Sequence, residues 1–179
     1  VSDGEPVPAD LYPVGTVARL RQTSRSGNTI RIICEGLSRA KATEYRRTGK
    51  LIEADVLSRT VELADNGGIR GEALVREALE IFDKAVGYMP NVTSDIKLAA
   101  HGISSPGLLA DFIASAVLVK TSDKQNVLEE FEPLERMFRL IKILNRECDL
   151  LECEQDIHRR VRDNISRNQR DYYLREQMK

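Results

Sequence analysis

The sequence contains no tryptophan, and only 5% of its 179 residues are aromatic. Its core must therefore come mainly from aliphatic side chains. Three cysteines are too few for a disulfide framework in a chain of this length, which fits a reducing compartment. No apolar run reaches the roughly 18 residues that a membrane helix needs. No basic stretch followed by an apolar segment opens the chain, so no secretory signal is legible. Neither sign of charge dominates: 27 Lys and Arg face 28 Asp and Glu, for a net charge of −1. That balance creates no global pull toward nucleic acid or a membrane surface. Catalytic signatures are missing as well. There is no G-x-x-x-x-G-K-[ST] phosphate loop, no G-x-G-x-x-G turn and no G-x-S-x-G elbow, and His101 and His158 are the only histidines.

What is present is a foldable composition, 41% hydrophobic and 31% charged. The charged share exceeds the ~25% usual in globular domains and points to much solvated helix surface. The length suits one domain or two small ones, at ~100–200 residues each.

The pattern changes near residue 63. Before it, apolar residues alternate with period two, as in VGTVARLRQ from Val14 and NTIRIICEG from Asn28. Such alternation marks half-buried strands. Ser26-Gly27-Asn28 joins these two as a hairpin. Gly36 predicts a break, a third strand over LSRAKATEYRR, a turn at Thr48-Gly49 and a fourth strand over LIEADVLSRTVEL. After the loop Asp65-Asn66-Gly67-Gly68 the period becomes helical. The first helix carries a stripe of Leu74, Leu79, Phe82 and Val86 and ends at Pro90. TSDIKLAAHGI reads as a short helix closed by Gly102, with His101 near its end. SPGLLADFIASAVLV, with Ser105 as N-cap and Pro106 at the first helical position, is apolar enough for the centre of a bundle. TSDKQNVLEEF starts from a Thr121 or Ser122 cap.

From Pro133 to Lys179 there is no further Pro and no Gly. A continuous helix there would be on the order of 70 Å long at ~1.5 Å per residue. Met137, Ile141, Leu144, Cys148 and Leu151 form a coiled-coil-like seam in its first half. The stripe thins to Ile157, Val161, Ile165 and Tyr172 in the second, which should project and meet a partner helix or a following domain. The sequence stops inside this helix pattern, as a piece of a longer protein would. The expected fold is α+β: a partial antiparallel meander over 1–64, then a helical bundle over 69–179 ending in one long helix from about 133.

Few residues suggest a site. Cys148, Cys153 and His158 are spaced by five, which turns each about 140° from the last on a helix, so no metal site is expected. Arg159, Arg160 and Arg167 lie in a segment rich in Arg and could meet phosphates, but Arg is spread around the helix and not along one line, which favours a solvated face or ion pairs between subunits. Tyr172, Tyr173 and Leu174 crowd apolar surface onto a charged helix, where it either meets a substrate or packs against another part of a longer protein.

Four stretches, LYPVGTVARL, IRIICEGLSRAKATEY, SPGLLADFIASAVLVKTSDKQNVLEEFEPLERM and NISRNQRDYYLREQMK, occur in an order that resembles the amino-terminal region of the ATP-dependent Lon proteases. The resemblance covers nearly the whole chain. It implies a substrate-recognition and assembly region, itself non-catalytic, of a homohexameric serine protease that degrades misfolded and regulatory proteins. The parent would be a bacterial cytoplasmic enzyme, with a mitochondrial matrix enzyme less expected. It would bind ATP and Mg in an AAA+ module and cleave peptides with a Ser–Lys dyad in a further domain. This stretch of sequence would carry no cofactor. The implied partners are unfolded protein substrates and further copies of the chain, with no membrane. DNA, through the Arg-rich helix end, is the alternative partner. Family members begin with additional strands, including an early P-L-R element that is absent here, so the sheet is expected to show an open edge.

Overall fold

A computed structural model describes residues 6–59, 67–90 and 92–177, with the backbone alone at 59, 166, 168 and 170–177. The alternating segment forms three antiparallel strands, β1 (Val14–Ser26), β2 (Thr29–Thr48) and β3 (Leu51–Arg59), in the order β1-β2-β3. Both turns have two residues and begin with a glycine in the left-handed region, Gly27 at φ 60° and Gly49 at φ 65°. That conformation costs glycine nothing and strains other residues.

Among the described residues the sheet has three strands, where the sequence predicts four. Gly36 does not end a strand but lies inside β2, opposite Ala18. The register shifts between Val17 and Ala18, which face Ser38 and Gly36, so Leu37 is an extra residue on β2. A glycine within a strand often marks such a bulge, which bends the strand without breaking it. Here it lets one continuous strand serve both hairpins.

The helical segment forms α1 (Gly68–Gly87), α2 (Ser94–His101), α3 (Pro106–Val117), α4 (Thr121–Leu128) and α5 (Pro133–Gln177). Gly67 caps α1 at φ 71°, and a Cβ there would come within 2.8 Å of Leu134 in α5. The α1 stripe is Leu74, Ala78, Phe82 and Val86, spaced by four, and Leu79 is only partly buried beside it. Ser105 and Pro106 open α3 as expected, though Ser105 makes no side-chain cap bond. In α4 the cap falls on Lys120 instead of Thr121 or Ser122, because Thr121 is already helical.

Leu109, Ala110 and Ile113 of α3 are fully buried, which makes α3 the centre of the bundle. It packs between α1 and α5, and the core closes with Phe82, Met137, Leu140 and Leu144. The buried face of α5 is wider than the expected seam. Leu140 and Ile143 join Met137, Leu144 and Cys148, while Ile141 is only partly buried. Because α1, α3 and α4 all pack on it, α5 needs a broad apolar face, not a two-helix seam. Beyond Leu151, Ile157, Val161 and Ile165 are each half exposed and no described side chain is buried.

Candidate functional site

Strand alternation gives the sheet one face toward the helices. The pairs Val14–Lys41 and Thr16–Arg39 share it. Val14 is buried, and Gln125 of α4 donates to its carbonyl at 2.9 Å. Arg39 crosses from the sheet to the bundle. Its Nε donates to the Leu128 carbonyl at 3.1 Å, and its Nη2 donates to Oδ1 of Asp111 on α3. The other carboxylate oxygen of Asp111 accepts from Arg136 Nη1 at 3.1 Å.

Arg136 lies in the first turn of α5 and is almost wholly buried. It also donates to the carbonyls of Glu130 (2.8 Å), Phe131 (3.0 Å) and Gly107 (3.3 Å). Burial pulls its pKa down from the ordinary guanidinium value, while the nearby Asp111 carboxylate opposes that shift. So many acceptors keep a desolvated cation charged. Gly107 allows the close approach: a Cβ there would lie 3.1 Å from Pro133 and 3.2 Å from Arg136 Nη1.

Above this cluster lies a cleft of about 850 Å³ between β2, the start of α3, α4 and the start of α5. Leu37, Pro106, Leu108, Leu128 and Pro133 form its apolar walls, and Thr16, Ser38, Ser105 and Thr121 add hydroxyls. Its charged lining is Arg39, Arg136 and Lys124 against Asp111 alone.

Among the described residues no element covers the sheet beyond the cleft. Leu20 pairs with Cys34, so Leu20, Cys34, Ile32 and Ile30 occupy one face of the β1–β2 arm. Leu20 is 65% exposed, Ile30 58% and Ile32 52%, and Cys34 is exposed too. Among the described residues β1 and β3 are both edge strands.

The model of the ATP-dependent protease La (LON) substrate-binding domain matches residues 1–146, which include every residue lining the cleft. The chain belongs to this family. The Lon protease of Brevibacillus choshinensis is 39% identical over 176 residues, covering 98% of this chain and 22% of that protein. Lon protease 1 of Bacillus subtilis (strain 168) is 33% identical, covering 100% of this chain and 23% of that protein. The chain therefore spans under a quarter of the length of these Lon relatives. In fold it is similar to the N terminal domain of Mycobacterium avium complex Lon protease, with a TM-score of 0.60 at 21% identity, over 76% of this chain and 72% of that one.

The site candidates drawn from the sequence lie on α5 past residue 146, where the match to the Lon domain model ends. Arg159, Arg160 and Arg167 are exposed on α5, past the last cleft residue, Arg136. Arg159 and Arg160 share the Asp156 carboxylate, Arg160 Nε at 2.7 Å, so part of their charge is already matched within the helix. The backbone of Tyr172, Tyr173 and Leu174 continues α5, and their side chains lie outside the described residues. Cys148 is buried, and burial raises the pKa of its thiol, while Cys153 and His158 are exposed. Among the described residues no His, Cys, Asp or Glu group is arranged to hold a metal ion, and no helix is long and apolar enough to cross a membrane. His101 Nε2 lies 3.0 Å from Asp83 Oδ2 and ties α2 to α1.

Sequence reasoning missed the cleft. Its signal was a charge standing alone in an apolar run, Asp111 within LLADFIASA. A buried charge requires a buried partner.

Proposed function

We propose that this chain is the substrate-recognition and assembly region of an ATP-dependent Lon protease, without catalysis of its own. The observation that carries the reading is the apolar face of Leu20, Ile30, Ile32 and Cys34, exposed on a sheet arm that no other described element covers. Contiguous exposed apolar surface of this kind marks interaction sites. It suits chains that expose apolar segments, as misfolded proteins do. ATP hydrolysis and peptide cleavage would belong to other parts of the parent, a cytoplasmic homohexamer. We further propose that residues 1–64 and 69–179 are separate units of the region. Copies in a ring would combine weak single contacts into useful affinity. Nothing in the described α5 arginines favours nucleic acid as the partner.

The test compares binding of one client protein in native and denatured forms by fluorescence anisotropy. The chain should bind the denatured form and ignore the native one. The double variant Ile30→Asp, Ile32→Asp should weaken that binding at least severalfold while leaving thermal stability unchanged, because both side chains are exposed. Equal binding of native and denatured client would sink the reading.

A further inference from the structure

We propose that the cleft between β2 and the start of α3 binds the C-terminal carboxylate of an extended polypeptide whose last residues are apolar. This rests on the substrate-recognition reading and names the chemistry that one of its sites selects.

The argument begins with charge. Among the described residues that line the cleft, Arg39, Arg136 and Lys124 are the cations and Asp111 is the single acid. Asp111 is already divided between the two arginines. The cleft thus keeps a positive excess beside groups that are largely removed from water. Arg39 is 9% exposed and Arg136 2%. In such surroundings an added anion gains more than it would on an open surface.

Geometry supplies the donor. Arg39 uses Nε for Leu128 and Nη2 for Asp111, and its Nη1 has no hydrogen-bond partner among the described residues. Among the described residues no buried side-chain nitrogen lacks a partner, so Nη1 keeps some exposed surface, and Arg39 lines the cleft. Lys124 is exposed at the rim, where its Nζ only brushes the Ser115 carbonyl at 3.4 Å. A carboxylate between the Arg39 Nη1 and the Lys124 ammonium would meet both, and guanidinium–carboxylate pairing is strong and directional.

The walls decide what carries the anion. Leu37 and Leu108 are half exposed at the cleft, and Pro106 and Pro133 complete an apolar surround. A strongly hydrated polyanion would lose its own water against these apolar walls without compensating hydrogen bonds. An apolar chain ending in a carboxylate satisfies both surfaces. The volume of about 850 Å³ accommodates a few residues and falls within the ~300–1,000 Å³ of ligand sites.

The experiment uses the whole chain and a short fluorescent apolar peptide in two forms, one with a free C-terminal carboxylate and one amidated. Anisotropy should show the free acid binding about tenfold tighter, the size expected for a charge-assisted hydrogen bond. Lys124→Glu, at an exposed position, should remove most of that preference without affecting folding. Arg39→Gln should do the same where it folds, and Lys124→Glu decides the matter where it does not. Equal binding of acid and amide, or an unchanged preference in Lys124→Glu, overturns the proposal. So does displacement of the peptide by equimolar inorganic phosphate, which would make the cleft a small-anion site. If denatured client binds but the peptide neither binds nor competes, this inference falls and the recognition reading stands. If neither ligand binds, both fall.

Discussion

Asp111 is the residue on which the sheet and the bundle converge. It takes Arg39 from β2 on one oxygen and Arg136 from α5 on the other. Removing the charge leaves two poorly solvated guanidiniums side by side. Breaking a fully buried pair typically costs about 3–5 kcal/mol, and Asp111 is 35% exposed, so Asp111→Asn should cost less, roughly 2–3 kcal/mol. Denaturant titration measures it. A loss under about 0.5 kcal/mol would mean that the backbone carbonyls around Arg136 suffice alone. Replacing Arg136 with Met is a different experiment, because it removes a cation that burial already penalises and frees three carbonyls to find other donors.

At the scale of elements, α5 shows what periodicity can and cannot reveal. Its helical character was legible from the absence of Gly and Pro, and the projection of its second half from the thinning of its stripe. The face it buries was only half legible, because a four-three seam assumes one partner helix and α5 has α1, α3 and α4 against it. Leu140 is therefore fully buried while Ile141, which the seam favoured, lies at its margin. Leu140→Ala should cost about 2–5 kcal/mol, as large-to-small changes in a core do, and Ile141→Ala clearly less. Thermal or denaturant unfolding of the two variants ranks them, and the reverse order would contradict this packing. The same limit hid the bulge at Gly36, since a glycine in a strand signals a break and a bulge alike, and only the partner strand distinguishes them. The cleft was illegible for a related reason. Residues 39, 111 and 136 are far apart in sequence, and no local pattern says that they meet.

For the whole molecule, the 45-residue α5 reaches well past the core it stabilises. Ile157, Val161 and Ile165 recur every four residues, each about half exposed, along a stretch otherwise covered with charge. This stripe is too narrow to hold a helix alone in water, since most helical stability in proteins comes from packing an amphipathic face. No described side chain past Leu151 is fully buried in the single chain, so the stripe gains from cover by a second copy or, in a longer parent, by a following domain. The expected outcome is reversible self-association, visible as a sedimentation coefficient that rises with concentration. The triple variant Ile157→Asp, Val161→Asp, Ile165→Asp should abolish that rise. It should leave the unfolding midpoint of the bundle nearly unchanged, because the core ends at Cys148 and the altered side chains lie beyond it. Association that survives the triple variant would move the assembly surface from α5 to the open edges of the sheet. There β1 carries Arg19, Arg21 and Arg25, charges of the kind that oppose edge-to-edge pairing.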